Sequence, residues 1–124
     1  MDTIFTIILL IHGIAHLPGM IVPWRIAEIK DMPYKTTLLS GKIYIGNFGV
    51  RIVGLLWLIT GGAFVVIGVG VFLQLPWWRS LAFGVSVFSF ILCILGWPDS
   101  RFGVFINVAI LLFLMIDREI LLIP

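Results

Sequence analysis

The sequence predicts an all-α integral membrane protein whose four transmembrane helices form a bundle. Of its 124 residues, 61% are hydrophobic and only 11% are charged, and the mean hydropathy is +1.21. A soluble domain of this length needs more charged surface than this composition supplies. Four apolar stretches approach or exceed the roughly 20 residues that span a bilayer core. Only helices and closed barrels satisfy every backbone hydrogen bond in lipid, and runs this long are not barrel strands.

The predicted spans use nearly the whole chain, so residues 1–124 are expected to form a single transmembrane domain. The spans cover about residues 3–24, 46–73, 77–97 and 102–123, with a long connection over residues 25–45. The other two connections are tight turns, which makes the second, third and fourth helices antiparallel neighbours. We expect a short interfacial helix after Trp24, ended by Pro33, in an otherwise irregular connection. Asp99 or Ser100 is expected to cap the fourth helix.

The Lys and Arg side chains are unevenly distributed between the two sides of the predicted bundle. One side carries Arg25, Lys30, Lys35, Lys42, Arg51 and Arg101, whereas the other carries Arg79 and Arg118. An excess of basic residues marks the cytoplasmic side, so both termini are predicted to face outward. We expect a multi-pass protein of the bacterial or archaeal cytoplasmic (inner) membrane, with the lipid bilayer as its surroundings. The net charge of +2 gives no sign of nucleic-acid binding.

Small residues line one face of the second helix and one face of the third. On the third helix they follow steps of three and four, at Ala82, Ser86, Ser89, Cys93 and Gly96. On the second helix, Gly54, Gly61 and Gly68 recur every seven residues. Residues at these spacings share a face, and small side chains let helices approach closely in lipid. Both faces are therefore expected to pack inside the bundle.

Polar residues inside the spans predict a candidate site. Each of them costs free energy unless it faces the bundle interior or water. His12 and His16 are four residues apart and share a face of the first helix. With the predicted orientation, the residues in the cytoplasmic half of the membrane are His16, Asn47, Arg51, Cys93 and Asn107, and His12 lies close to mid-depth. We therefore predict a buried ligand-binding cluster of His12, His16, Arg51 and Asn107, joined by Asn47.

The residue types limit what this cluster would bind. Two histidines are too few for a closed metal site and Arg51 would repel a cation, so no metal is expected. An arginine beside neutral histidines and an asparagine suits a quinone head group, a lipid phosphate or a carboxylate. A tetrapyrrole held by one histidine is a further alternative. In the remaining alternative, these side chains only satisfy one another and lock the helices together.

Charged residues interrupt the last span near its end. Asp117, Arg118 and Glu119 are expected to form an interfacial charge cluster, although Asp117 also has the chemistry of a proton-relay carboxylate.

Four segments of the chain carry a resemblance to a known family. They are His12-Gly-Ile-Ala-His16-Leu-Pro-Gly19, Met32-Pro-Tyr-Lys-Thr-Thr-Leu-Leu-Ser-Gly41, Arg51-Ile-Val-Gly-Leu-Leu-Trp57 and Leu95-Gly-Trp-Pro-Asp-Ser-Arg-Phe-Gly103. The chain resembles a family of small bacterial four-helix membrane proteins with a His-Gly-x-x-His-x-x-Gly signature, some of them labelled ABC transporter permeases. The resemblance implies the same topology and singles out the same residues, but it implies no activity. A looser similarity, in size and helix count, links the chain to the DoxX-like proteins, some of which serve quinone-linked oxidation.

Three functions follow from these features. The first is a small bundle that binds a lipophilic ligand, or an accessory subunit of a larger membrane complex, and small size and short connections favour it. The second is a quinone-linked or lipid-modifying enzyme that uses His12 or His16 as acid and base and Arg51 to hold an anion. The predicted cluster has no nucleophile, carboxylate pair or full metal set, which counts against it. The third is a transporter component acting as a homo-oligomer, although the spans contain no paired broken helices.

Overall fold

The computed structural model describes residues 2–122, with side chains over residues 3–116, and the predicted helical fold is confirmed. The elements follow in the order α1 (Asp2–Ile14), α2 (Pro18–Ile21), β1 (Thr37–Leu38), β2 (Ile43–Tyr44), α3 (Gly46–Phe72), α4 (Trp78–Leu95) and α5 (Arg101–Leu122). The connection between α2 and α3, expected to be irregular after a short helix, contains two short strands. The predicted charge cluster of Asp117, Arg118 and Glu119 lies outside the described side chains.

The helices have the composition of a membrane protein. Three helical segments are long and apolar enough to cross a bilayer: Thr3–Ile21, Gly46–Phe72 and Trp78–Leu95. Helix α5 has 22 residues, and the part over Arg101–Ile116 is a shorter apolar helix. Large apolar side chains cover the outside of the bundle, where a soluble protein would place polar ones.

Pro18 explains why the first span is two helices rather than one. Proline has no N–H to donate, and its ring clashes with the carbonyl group one turn earlier. The backbone responds with two tighter turns, in which the N–H of His16 donates to Gly13 at 3.1 Å and that of Leu17 donates to Ile14 at 3.0 Å. Helix α2 then begins at Pro18 itself, where the missing N–H is no loss.

Glycines bring α1 and α3 into backbone contact. A methyl group at Gly13 would lie 2.6 Å from the carbonyl oxygen of Gly61, and one at Gly61 would lie 2.7 Å from that of Gly13. Gly68 lies against a side chain of α1, and Gly54 lies against Trp24. The glycine face of α3 therefore packs on the first span, as its seven-residue spacing predicts.

The small face of α4 is buried between α3 and α5. Ala82, Ser86, Ser89 and Cys93 are each at most 1% exposed. Gly103 of α5 lies directly against the Cys93 side chain, where a methyl group would collide with the sulfur. This predicted packing face is confirmed as well.

The apolar core lies toward the end of the bundle that carries the N-terminus, the terminal end. Phe5 of α1 stacks on Phe113 of α5 with ring centroids 4.4 Å apart, and its centroid lies 5.8 Å from that of Trp78 at the start of α4. The buried core residues are Phe5, Leu9, Phe64, Ile67, Val71, Ala82, Ile110 and Leu114. The opposite end, the loop end, carries the connection between α2 and α3 and the turn between α4 and α5.

The connection between α2 and α3 differs from the expectation. Residues 22–26 form turns and a bend rather than the expected interfacial helix, and Ile29 pairs with Met32 in an isolated bridge. Strands β1 and β2 pair antiparallel, with Thr37 opposite Tyr44 and Leu38 opposite Ile43. At the hairpin tip Leu39, Ser40 and Gly41 all have positive φ, a conformation typical of tight hairpin turns. Residues 34–45 are called the strap below.

The strap lies across the end of α4 and binds its last carbonyl groups. The N–H of Leu39 donates to the carbonyl of Leu95 at 2.7 Å, and both the N–H and the hydroxyl of Ser40 donate to the carbonyl of Trp97. Carbonyls at a helix C-terminus have no partner in their own helix, so the strap replaces the missing bonds. The Ser100 hydroxyl, one of the two caps expected for α5, donates back to the carbonyl of Cys93 at 2.5 Å.

Candidate functional site

The break before Pro18 determines how His16 is used. The N–H of His16 bonds to Gly13, so the carbonyl of His12 loses its usual helical donor. The His16 side chain fills that place, with Nδ1 2.7 Å from the His12 carbonyl oxygen. A carbonyl only accepts, so Nδ1 carries the hydrogen. In the neutral imidazole Nε2 is then an acceptor, and it points across the bundle.

A ring of hydrogen bonds joins α1, α4 and α5 at this depth. Ser89 donates its hydroxyl hydrogen to Nε2 of His16, with 2.8 Å between the heavy atoms. The amide nitrogen of Asn107 donates to Ser89 Oγ at 2.9 Å. The amide oxygen of Asn107 accepts from Nε2 of His12 at 3.0 Å. The backbone between His12 and His16 closes the ring.

The ring is buried and almost satisfied with both imidazoles neutral. His12, His16, Ser89 and Asn107 are each at most 3% exposed. Phe64 packs its ring against both histidines, with centroids 4.7 and 5.2 Å away. One acceptor is left over, because Nδ1 of His12 has no hydrogen-bond partner among residues 3–116. The hydrogen bonds of the ring therefore serve mainly to hold α1, α4 and α5 together.

Three of the five predicted site residues meet in this ring, but Arg51 and Asn47 do not. Both are exposed at the loop end. The Arg51 carbonyl accepts from Trp24 Nε1 at 2.9 Å, and Asn47 Oδ1 accepts from the Tyr34 hydroxyl at 2.5 Å. The guanidinium of Arg25 lies 4.2 Å from the centroid of the Tyr34 ring. These five residues form a separate interfacial cluster, so Arg51 is not available to hold an anion beside the histidines.

Among residues 3–116, the two histidines are poorly placed to ligate a tetrapyrrole. Three of the four imidazole nitrogens already make hydrogen bonds. The fourth, Nδ1 of His12, is enclosed in the core beside Phe64. Axial ligation would require breaking the ring or moving Phe64, so the described residues do not fit that cofactor. They also contain no group of three side chains suited to a metal ion.

A cavity of about 210 Å³ lies at the loop end, one helical turn beyond the ring. Its lining comes from helix α2, the first turns of α3, the strap and the turn between α4 and α5, and it is open on one side. Its wall is mostly apolar and aromatic, with Trp57 and Trp97 as the largest side chains. Lys35 and Asp99 are on the same wall and form an ion pair with 2.9 Å between Nζ and Oδ2.

Trp57 connects this cavity to the histidines. Its ring centroid lies 5.1 Å from that of His16, and the same indole lines the cavity. Gly19 of α2 lies flat against the indole, where any side chain would collide with the ring. Gly19 therefore fixes Trp57 between His16 and the cavity.

Sequence reasoning missed the roles of four residues of this region. Ser89 was assigned to the packing face of α4, although its shared face with Cys93 placed it at the depth of the cluster. Trp57 had no polar pattern to single it out. The pairing of Lys35 with Asp99 links positions 64 residues apart (99 − 35), and local patterns carry no signal for such a contact.

Comparisons with protein-family models, with curated proteins and with solved structures give no match for this chain. The function is therefore inferred from the geometry of the cavity and the hydrogen-bond ring.

Proposed function

We propose that this protein is a small membrane-embedded binding protein that holds the head end of a lipophilic molecule in the cavity at its loop end. The cavity carries this proposal. It combines apolar and aromatic walls with a few polar groups, which is the usual composition of a ligand site. The histidine ring acts as the lock that holds the helices, and the cavity walls they carry, in position.

The size of the cavity limits what enters it. Drug-sized ligands occupy roughly 300–1,000 Å³, whereas this cavity measures about 210 Å³. It therefore takes a single ring or a head group with its first few carbon atoms. The rest of a lipid chain must extend outward into the bilayer.

The proposed setting is the cytoplasmic membrane of a bacterium or an archaeon, with the strap inside the cell and both termini outside. The distribution of Lys and Arg supports this orientation. The cavity would then open near the head groups of the inner leaflet. Trp24 and Trp97, each 40% exposed, suit that depth because indoles favour the interface.

Native mass spectrometry and an optical spectrum test the proposal on protein purified gently from its own membranes. The wild type is expected to retain one small lipophilic molecule per chain. Val53 lines the cavity, so Val53→Trp should fill it and abolish the retained mass. Its neighbour Ile52 is 46% exposed on the outside of the bundle, so Ile52→Trp is the matched control and should keep the ligand. Equal retention by both variants, or a wild type that carries only bulk lipid, would contradict the proposal.

A further inference from the structure

We infer that the Lys35–Asp99 ion pair makes this cavity selective for an uncharged head group, such as that of an alcohol or a neutral carbonyl lipid. The inference rests on the proposed function, because it concerns the ligand of the same cavity. It reverses the expectation of an anionic ligand, which depended on an arginine beside the histidines.

In the described part of the chain, the cavity wall carries no net charge. Among the described residues that line it, Lys35 and Asp99 are the charged ones, and their heavy atoms are 2.9 Å apart. An anionic head near Lys35 is therefore also near Asp99, and attraction and repulsion largely cancel. A cationic head meets the same pair with the signs exchanged. The wall offers neither ion a net attraction.

Entering the cavity costs an ionised head group more free energy than an uncharged one. An ionised head loses hydration when it moves into mostly apolar surroundings, and that loss is large unless a counter-charge replaces the water. Both counter-charges here already bind each other. An uncharged hydroxyl or carbonyl loses much less, and free energy therefore favours the uncharged head.

An uncharged head group still finds hydrogen-bond partners in Lys35 and Asp99. The Lys35 ammonium has three donors, and one partner carboxylate leaves others to offer. Asp99 likewise has lone pairs beyond the one that Lys35 uses. A hydroxyl can therefore donate to one member of the pair and accept from the other without separating them. Lys35 and Asp99 act as specificity-determining residues.

The ion pair also links two walls of the cavity. Lys35 belongs to the strap, and Asp99 belongs to the turn between α4 and α5. A charged ligand that captured either residue would weaken this link between strap and turn. An uncharged occupant is therefore favoured because it avoids an uncompensated charge and because it leaves the link between strap and turn intact.

The test uses three labelled probes with the same chain, namely 1-dodecanol, dodecanoate and dodecylammonium. Full-length protein in phosphatidylcholine nanodiscs is titrated with each probe at a pH of about 8.5, where a carboxyl group is ionised and an alkylamine is protonated. Empty nanodiscs and Val53→Trp nanodiscs give the binding to lipid alone. The wild type should bind dodecanol at least about tenfold more tightly than either ion, a difference set by the uncompensated charge.

Charge variants then identify the residues responsible. Asp99→Asn leaves Lys35 alone and should raise the affinity for dodecanoate relative to dodecanol. Lys35→Gln leaves Asp99 alone and should raise the affinity for dodecylammonium relative to dodecanol. The double variant and the exchange of the two residues, Lys35→Asp with Asp99→Lys, both restore a neutral wall and should restore the preference for dodecanol. These two variants also show whether an effect comes from charge or from a loosened strap.

The outcomes separate the inference from the proposed function. A wild type that prefers an ionic probe, or single variants that leave the order of affinities unchanged, would overturn the charge selectivity while the cavity remained a binding site. If none of the probes bound beyond the level of Val53→Trp, the proposed function itself would fail, and the selectivity with it.

Discussion

At the scale of single residues, the hydrogen-bond ring depends on Pro18. Its missing N–H tightens the preceding turns, and the freed carbonyl of His12 then takes the Nδ1 hydrogen of His16. That bond leaves Nε2 of His16 as an acceptor for Ser89. Asn107 completes the ring because its amide is both donor and acceptor. One proline thereby fixes the protonation pattern of a buried polar network.

The ring predicts an unequal cost for two asparagine substitutions. Asn107→Ala removes the acceptor of a buried His12 N–H, so it should lower the free energy of unfolding by about 1–2 kcal/mol. Asn47→Ala removes an exposed amide that water can replace, so its effect should stay within about 0.5 kcal/mol. Unfolding titrations in mixed micelles measure both.

A double variant distinguishes a polar lock from simple packing. His12→Leu with Asn107→Leu replaces both partners of one bond by apolar groups and should cost less than Asn107→Ala alone, because no buried donor is left unpaired. A double variant that is less stable than Asn107→Ala would show that the ring does more than join the helices.

Part of this ring was predictable from the sequence. His12, His16 and Asn107 were expected together because polar side chains in a span must face the interior. Arg51 was expected there because it lies three residues before Gly54, the first glycine of the stripe on α3. At about 100° per residue, however, it lies about 60° away from Gly54 around the helix. It also lies in the second turn of α3, which begins at Gly46, where the first span has already passed into turns.

At the scale of elements, the spacing between α1 and α3 depends on glycine. Gly13 and Gly61 face each other. A methyl group added to either one would lie less than 3 Å from the backbone carbonyl oxygen of the other. Backbone atoms cannot rotate away as a side chain can, so the two helix axes set the contact distance. This contact also positions His16, whose Cβ would lie 2.9 Å from a methyl group at Gly61.

Two adjacent glycines of α3 give a matched test of this contact. Gly61→Ala should push the helices apart and destabilise the protein by about 1–3 kcal/mol. Gly62 has open space where its methyl group would go, so Gly62→Ala should be neutral or stabilise the helix by up to about 1 kcal/mol. Thermal unfolding of both variants in the same detergent measures the difference. Similar midpoints for the two would mean that α1 and α3 do not meet as closely as this.

The helices were predictable and the strap was not, for a physical reason. Spans over 46–73 and 77–97 follow from continuous apolar runs, which a bilayer requires, and α3 and α4 occupy them. The strap depends instead on what it covers. Its bonds to Leu95 and Trp97 exist only because α4 ends nearby, and no pattern within residues 34–45 reports that.

At the scale of the whole molecule, the two ends of the bundle differ in chemistry. The terminal end is closed by an aromatic and aliphatic core. The loop end has the cavity, the strap, the interfacial cluster and many of the basic residues. The hydrogen-bond ring lies between them and ties three helices together. This asymmetry suits a protein that receives a lipophilic molecule from one leaflet.

Labelling of single cysteines tests the proposed orientation. Lys42 is exposed at the strap, so Lys42→Cys should react with a membrane-impermeant maleimide in inside-out vesicles and stay unlabelled in intact spheroplasts. The native Cys93 is 1% exposed and should not react in either preparation, which makes the wild type the blank. Labelling of Lys42→Cys from outside the cell would reverse the assigned orientation.

The location of the ligand is tested most directly by photo-crosslinking with a diazirine-bearing dodecanol, followed by peptide mapping. If the loop-end cavity binds the head of a lipophilic molecule, adducts should concentrate on the segments that line it, around Gly19, Trp57 and Trp97. Unlabelled dodecanol should compete them away, and Val53→Trp should abolish them. Adducts spread over lipid-facing residues such as Phe72 and Phe105, unaffected by competitor or by Val53→Trp, would contradict a binding site at the loop end.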